Sequence, residues 1–383
     1  MRFMMKFQAS IIALAFAAAA CGQAGDAAAQ NSPTTGKAAD AFTIAEVADF
    51  TAPWAMTFLP DGRALVTEKA GELVLLSADG KTKTVVATIP GVDAEGQGGL
   101  MDVVLHPQFA SNGMVYLSYS TAGNGGKGVV LARGKMVDGP APRLDGLTTI
   151  FTAAPFVEGA GHYSGRIAFA PDGHLFFTNG ERQKFDPAQD PKATLGKVLR
   201  LKDDGTPAGD PGLTAKGFHP AVWSYGHRNL LGIAFDGAGN LWEQEMGPKG
   251  GDEVNLVLPG RNYGYPIVSD GDHYDGKDIP DHSTRPEFEK PKVSWNPVIS
   301  PGGLIVYSGT MFPDYRGDIF IGGLSSQSLV HVKVTGTDAA KADQWDMGAR
   351  IREVEQGPKG ELFVLEDGGR GSQGRLLKLT PKG

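Results

Sequence analysis

The chain has 383 residues, of which 54 are glycine and 25 are proline; that share of helix-disfavouring residues excludes an all-helical protein, and no Gly-X-Y period marks a collagen. A formal charge of −7 argues against nucleic acid as the main partner, and a single cysteine excludes an intrachain disulfide framework. With 41% hydrophobic and 21% charged residues the chain can build a large core, so composition points to a turn-rich, all-β globular protein.

The amino terminus reads as an export signal over residues 1–20. Arg2 and Lys6 precede the apolar run Ile11–Phe16 and four alanines, a hydrophobic stretch too short to span a bilayer. Cys21 follows directly. Cleavage before it would free the thiol for acylation and give a lipoprotein; cleavage after Ala27-Ala28-Ala29 would release the chain. Either way the expected location is the periplasm, and a lipidated Cys21 is the one expected route to a membrane. Residues 21–41 are rich in Gly, Ala, Ser, Thr, Gln and Asn and read as a flexible tether, with a single domain over 42–383.

From Phe42 onward one unit recurs, a Pro-Asp-Gly type turn leading into a short apolar strand. Pro60-Asp61-Gly62 precedes Ala64–Glu68, His106-Pro107 and Gly113 precede Met114–Ser118, and Pro171-Asp172-Gly173 precedes Leu175–Thr178. Asp236–Asn240 then leads to Leu241–Glu243, Pro313–Asp318 to Ile319–Gly322, and Pro358-Lys359-Gly360 to Leu362–Leu365. Six such copies, each with room for about four strands, predict a six-bladed β-propeller, with a pair of β-sandwiches as the alternative. The longer gaps between the second and fifth copies are expected to be loops on one face, where function usually sits.

Polar clusters fall just before strands. They are Gly161–Arg166, Tyr225–Asn229, the stretch from Glu245 to Pro266, and Arg350-Ile351-Arg352. Each alone reads as a capped turn or a surface ion pair; at equivalent places in successive blades they would converge on the central channel. Strand alternation puts Arg350 and Arg352 on one side, where two guanidiniums repel unless something anionic sits between them.

The runs Pro53–Gly62, Gly96–Val103, Gly226–Asn229, Gly251–Asn255 and Arg350–Arg352 together resemble the soluble pyrroloquinoline-quinone (PQQ) dependent glucose/sorbosone dehydrogenases, over about residues 44–380. The bacterial aldose sugar dehydrogenases are the nearest likeness. The resemblance implies a six-bladed propeller that oxidises the C1 hydroxyl of aldoses to lactones and passes electrons to an unidentified acceptor. It implies His162 as general base, Glu181 as the carboxylate that orients it, and Arg228 and Asn229 on the reactive quinone oxygens. Further cofactor contacts are implied at Gln97, Tyr274, Leu324, Ser325, Arg350 and Arg352. Calcium is the implied metal, with Gly247 and Pro248 offering carbonyls and Glu253 and Tyr263 as a further pair. Two residues depart from the family pattern. Ser325 stands where a lysine is common, so a charged cofactor contact becomes a neutral one. Gly161 replaces an aspartate that precedes the catalytic histidine in some relatives, which leaves Glu181 to orient His162. The rival readings are a calcium-dependent lactonase-type propeller and a non-catalytic sugar-binding propeller.

Overall fold

The computed structural model describes residues 34–123 and 125–383; the signal segment and Cys21 lie outside the described residues. Six antiparallel sheets follow one another along the chain: blade 1 spans 53–88, blade 2 100–152, blade 3 164–225, blade 4 230–295, blade 5 301–346 and blade 6 351–381. The innermost strand of each blade touches that of the next, and the sixth touches the first. The chain is therefore a closed six-bladed β-propeller. Closure is made by Phe42–Asp49, which pairs antiparallel with Arg375–Pro381 as the outer strand of blade 6, so the two ends of the domain are tied into one sheet.

The recurring turns join the first strand of each blade to its second. Gly62, Gly173, Gly239, Gly317 and Gly360 have φ between 83° and 94° there, a left-handed conformation that glycine adopts without a Cβ penalty. These turns mark one end of the innermost strands. Gly161–Arg166, Tyr225–Asn229 and Arg350–Arg352 lie at the start of those strands, and the stretch from Glu245 folds back beside Arg228 and Asn229, so the polar clusters gather at the other end, on one face of the ring.

The tether ends sooner than composition implies. Thr34–Lys37 form a strand parallel to Asp343–Asp346 on the outer edge of blade 5, and Ala38–Ala41 make a single helical turn. Ala38 and Phe42 are buried against Phe312 and Trp345. A free sheet edge recruits a segment whose composition carries no strand signal.

The third residues of the innermost strands of blades 2, 3 and 6, Asp102, Arg166 and Glu353, meet as one buried charged cluster. Arg166 is buried, its Nη1 bonded to Glu353 and 3.3 Å from Asp102, and its Nε donates to the Leu231 carbonyl at 2.7 Å. Its guanidinium lies 4.1 Å from the Trp54 ring centroid. Gly303 leaves room for the Glu353 carboxylate, which a Cβ there would strike. Burial raises the Glu353 carboxyl to about 7 despite Arg166 beside it, a measure of how far the cluster depends on that cation. Arg166→Met would leave two acids buried without their counter-charge, and we expect it to lower unfolding free energy by about 3–5 kcal/mol, read by urea denaturation at neutral pH.

Candidate active site

The loop after the second strand of blade 3 sets the site. Glu181 is fully buried and its carboxylate collects donors from four places: His162 Nδ1, and the backbone amides of Gln183 at 2.9 Å, Lys184 at 2.6 Å and Phe185 at 2.7 Å. To turn those amides inward, Arg182, Gln183 and Phe185 take φ of 59–63°, strain that the carboxylate offsets. His162 and Ser164 are left-handed too, at 47° and 60°. Burial lowers the His162 imidazole below its ordinary value although Glu181 acts to raise it. The ring therefore stays neutral near pH 7. With Nδ1–H donated to Glu181, Nε2 is its basic nitrogen. Burial, the largest influence, acts to raise the Glu181 carboxyl; His162, the Phe185 amide and nearby Arg228 together outweigh it and hold the carboxyl below its ordinary value.

Two neighbours hold His162 in place. Gln97 Oε1 accepts the His162 amide at 2.7 Å. Buried Arg182 donates to the carbonyls of Gly161, Lys127 and Gly159 at 2.6–2.8 Å while lying 3.7 Å over the Tyr163 ring, so it pins the loop that leads into the histidine. Neither Arg182 nor Phe185 stood out in the sequence. The one signal was their place directly after Glu181.

Two cavities open on this face, one at His162 and one at the next residues, Tyr163 and Ser164. One of about 230 Å³ is lined by His162, Gln183, Phe185, Arg228, Pro248 and Tyr274 among others. The second, of about 480 Å³, lies over the channel plug and reaches Trp54, Gln97, Asn229, Ser325, Arg350 and Arg352. Tyr274, 73% exposed, borders both. Arg228 donates through Nη1 to the carbonyls of Met246 at 2.8 Å and Gly247 at 2.6 Å, and Tyr274 Oη lies 3.5 Å from Nη2. Glu245 accepts the Arg228 amide and, at 3.2 Å, that of Asn229; Asn229 Oδ1 in turn accepts from Ser164. His227 faces away from both cavities, stacked on Tyr263 at 4.5 Å and bonded to Ser224 at 2.8 Å.

Arg350 and Arg352 do share one side, and the anion between them is a protein group. Asp367 accepts Arg350 Nε at 2.9 Å and Arg352 Nε and Nη2 at 2.8 and 2.6 Å. Arg350 also donates to the Leu324 carbonyl at 3.2 Å; Leu324 itself is buried. Ser325 Oγ donates weakly to the Val298 carbonyl at 3.4 Å.

Three of the four residues implied for calcium come together. Gly247, Glu253 and Tyr263 line a void of about 10 Å³, the size of one water, with Arg228, Glu245 and His282, and the Gly247 carbonyl accepts from Arg228. Pro248 instead borders the smaller cavity. Burial holds the Glu253 carboxyl above its usual range, and the Tyr263 carbonyl accepts His282 Nε2 at 3.1 Å. Hard oxygens of the kind calcium takes are present at both places. Hydrogen donors already occupy the Gly247 and Tyr263 carbonyls.

Fold and site together define a six-bladed propeller dehydrogenase. A family model for glucose/sorbosone dehydrogenase matches residues 50–378, and the chain belongs to that family. It is 37% identical over 338 residues to the aldose sugar dehydrogenase YliI of Escherichia coli K12, across 86% of this chain and 90% of that one. It is 29% identical over 245 residues to quinoprotein glucose dehydrogenase B of Acinetobacter calcoaceticus, across 57% and 50% of the two chains. Among solved structures, the apo-form of the soluble E. coli aldose sugar dehydrogenase superposes with a TM-score of 0.82 at 35% identity, covering 89% of this chain and all (100%) of that one. The PQQ-bound aldose sugar dehydrogenase of Streptomyces coelicolor gives 0.73 at 30% identity, covering 89% and 98%.

Asp367 keeps two guanidiniums from facing each other bare. Asp367→Asn is expected to destabilise the protein by about 1.5–3 kcal/mol, and millimolar citrate, a tricarboxylate, should recover part of the loss. Thermal melts with and without citrate check this.

Proposed function

We propose that this protein oxidises the C1 hydroxyl of an aldose to the lactone, with PQQ in the larger cavity and the sugar in the smaller one. The observation that carries the reading is the neutral His162 imidazole, oriented by Glu181, at a pocket that adjoins an arginine-lined cavity. The PQQ-bound structure of a family relative supports the cofactor assignment, and the aldose sugar dehydrogenase relative supports the substrate class.

When bound, PQQ supplies the two-electron acceptor that takes hydride from C1; calcium held by the Gly247 and Pro248 oxygens would polarise it. The protein's own residues manage the proton and the charge. His162 Nε2 takes the proton from O1 as the C1–H bond breaks, and the lactone carbonyl forms. Glu181 stabilises the resulting imidazolium, which then releases its proton to solvent. Arg228 borders the sugar pocket and stabilises negative charge that develops on the acceptor side. Gln97 and Arg182 keep His162 in register, so little reorganisation is needed at the moment of transfer. Export to the periplasm, anchorage through lipidated Cys21 and an external electron acceptor complete the reading, and together would place sugar oxidation outside the cytoplasm.

The apo-protein, reconstituted with PQQ and Ca2+ and assayed with aldoses and an artificial electron acceptor, should reduce the dye only when both are added. Glu181→Gln should cut kcat roughly 10²–10⁴-fold with PQQ affinity unchanged. In the wild type kcat/KM should fall as pH drops through the His162 pKa, below the ordinary 6.5, because the base must be unprotonated. Lactone hydrolysis without quinone, or an unchanged rate in Glu181→Gln, would overturn the assignment.

A further inference from the structure

Cations outnumber acids in the larger cavity. Lys69, Arg350, Arg352 and Arg370 line it together with one carboxylate, Asp367. Asp367 is committed to Arg350 and Arg352. Among the described residues Lys69 has no carboxylate within ion-pair distance; its Nζ donates to the Gly96 carbonyl at 3.0 Å. A neutral carbonyl is a poor counterpart for an ammonium group withdrawn from water. Burial, with Arg352 close by, lowers the Lys69 ammonium below the ordinary lysine value, and the more distant Asp367 offsets this only in part.

The backbone fixes where that ammonium can reach. Lys69 directly follows the second strand of blade 1, Ala64–Glu68. Its amide donates to Ala52 and its carbonyl accepts from Leu100, both at 3.1 Å, which ties it between blades 1 and 2. Gly99 lies so close that a Cβ there would come within 2.6 Å of the Lys69 carbonyl oxygen. The side chain is thus held at the cavity wall and not left to wander over the surface. Ser325, also on the cavity wall, brings no charge.

We propose that Lys69 is a charged anchor for a carboxylate of the bound quinone, and fills from blade 1 the role that Ser325 lacks the charge to fill. PQQ is a tricarboxylate, so a cavity with cations at Arg350, Arg352 and Lys69 can meet it with separate positive groups. This rests on the reading of PQQ as the cofactor.

The test is a direct binding titration, independent of turnover. Apo-protein is titrated with PQQ and followed by fluorescence quenching of Trp54, which lines the cavity, at several salt concentrations. Lys69→Met should weaken binding about tenfold or more and flatten its salt dependence. Lys69→Arg should keep most of the affinity, and Ser325→Lys added to Lys69→Met should recover a large part of it. Lys69→Gln, which retains a donor for Gly96, repeats the test if the methionine variant does not fold. Wild-type affinity and salt dependence in the neutral variants would overturn the proposal while the cofactor reading stands. A wild-type protein that binds no PQQ would overturn both.

Discussion

A ring of six twisted sheets must leave a channel, and Arg166 is what closes it. The innermost strands cannot approach one another across the axis, and the third residues of those in blades 2, 3 and 6 meet there. Apolar side chains alone would have to meet across that gap. Here one guanidinium meets two carboxylates and an indole ring, and Gly303 leaves room for the Glu353 carboxylate. Trp54, which lies under the guanidinium, is also part of the wall of the larger cavity. Channel packing and cavity shape are therefore one arrangement, and the site rests on a polar plug that cannot be removed without exposing buried charge.

Above that plug a single carboxylate orders the site. Glu181 holds His162 through Nδ1 and, through three amides, bends the loop that carries Gln183 and Phe185 into the wall of the smaller cavity. The imidazole and the pocket it borders are placed by the same two oxygen atoms. Glu245 does the corresponding work in blade 4, where its carboxylate takes the amides of Arg228 and Asn229. In both blades a buried acid at or just beyond the end of the second strand fixes a neighbouring turn.

Much of this was legible in the sequence because it is local. Pro-Asp-Gly turns and the strands after them carry their own signals, so blade number and the face on which polar clusters gather follow from spacing. The need for an anion between Arg350 and Arg352 followed from strand alternation. That Asp367 provides it did not, because fifteen residues and a strand separate it from Arg352 in the chain. Lys69 looked like any lysine after a strand; its place at a cationic cavity depends on blade 1 meeting blade 6 around the ring. The pairing of Thr34–Lys37 with blade 5 and the meeting of Gly247, Glu253 and Tyr263 around one void, with Pro248 left at another, are likewise encounters that no local pattern encodes.

The central claim is that hydride leaves sugar C1 for a quinone bound beside His162. Single-turnover reduction of the PQQ-loaded protein by glucose deuterated at C1, followed anaerobically by the absorbance of the bound quinone, tests it most directly. The account predicts that the quinone is reduced with a primary isotope effect of several-fold. Reduction with no isotope effect, or a bound quinone that glucose leaves oxidised, would contradict it.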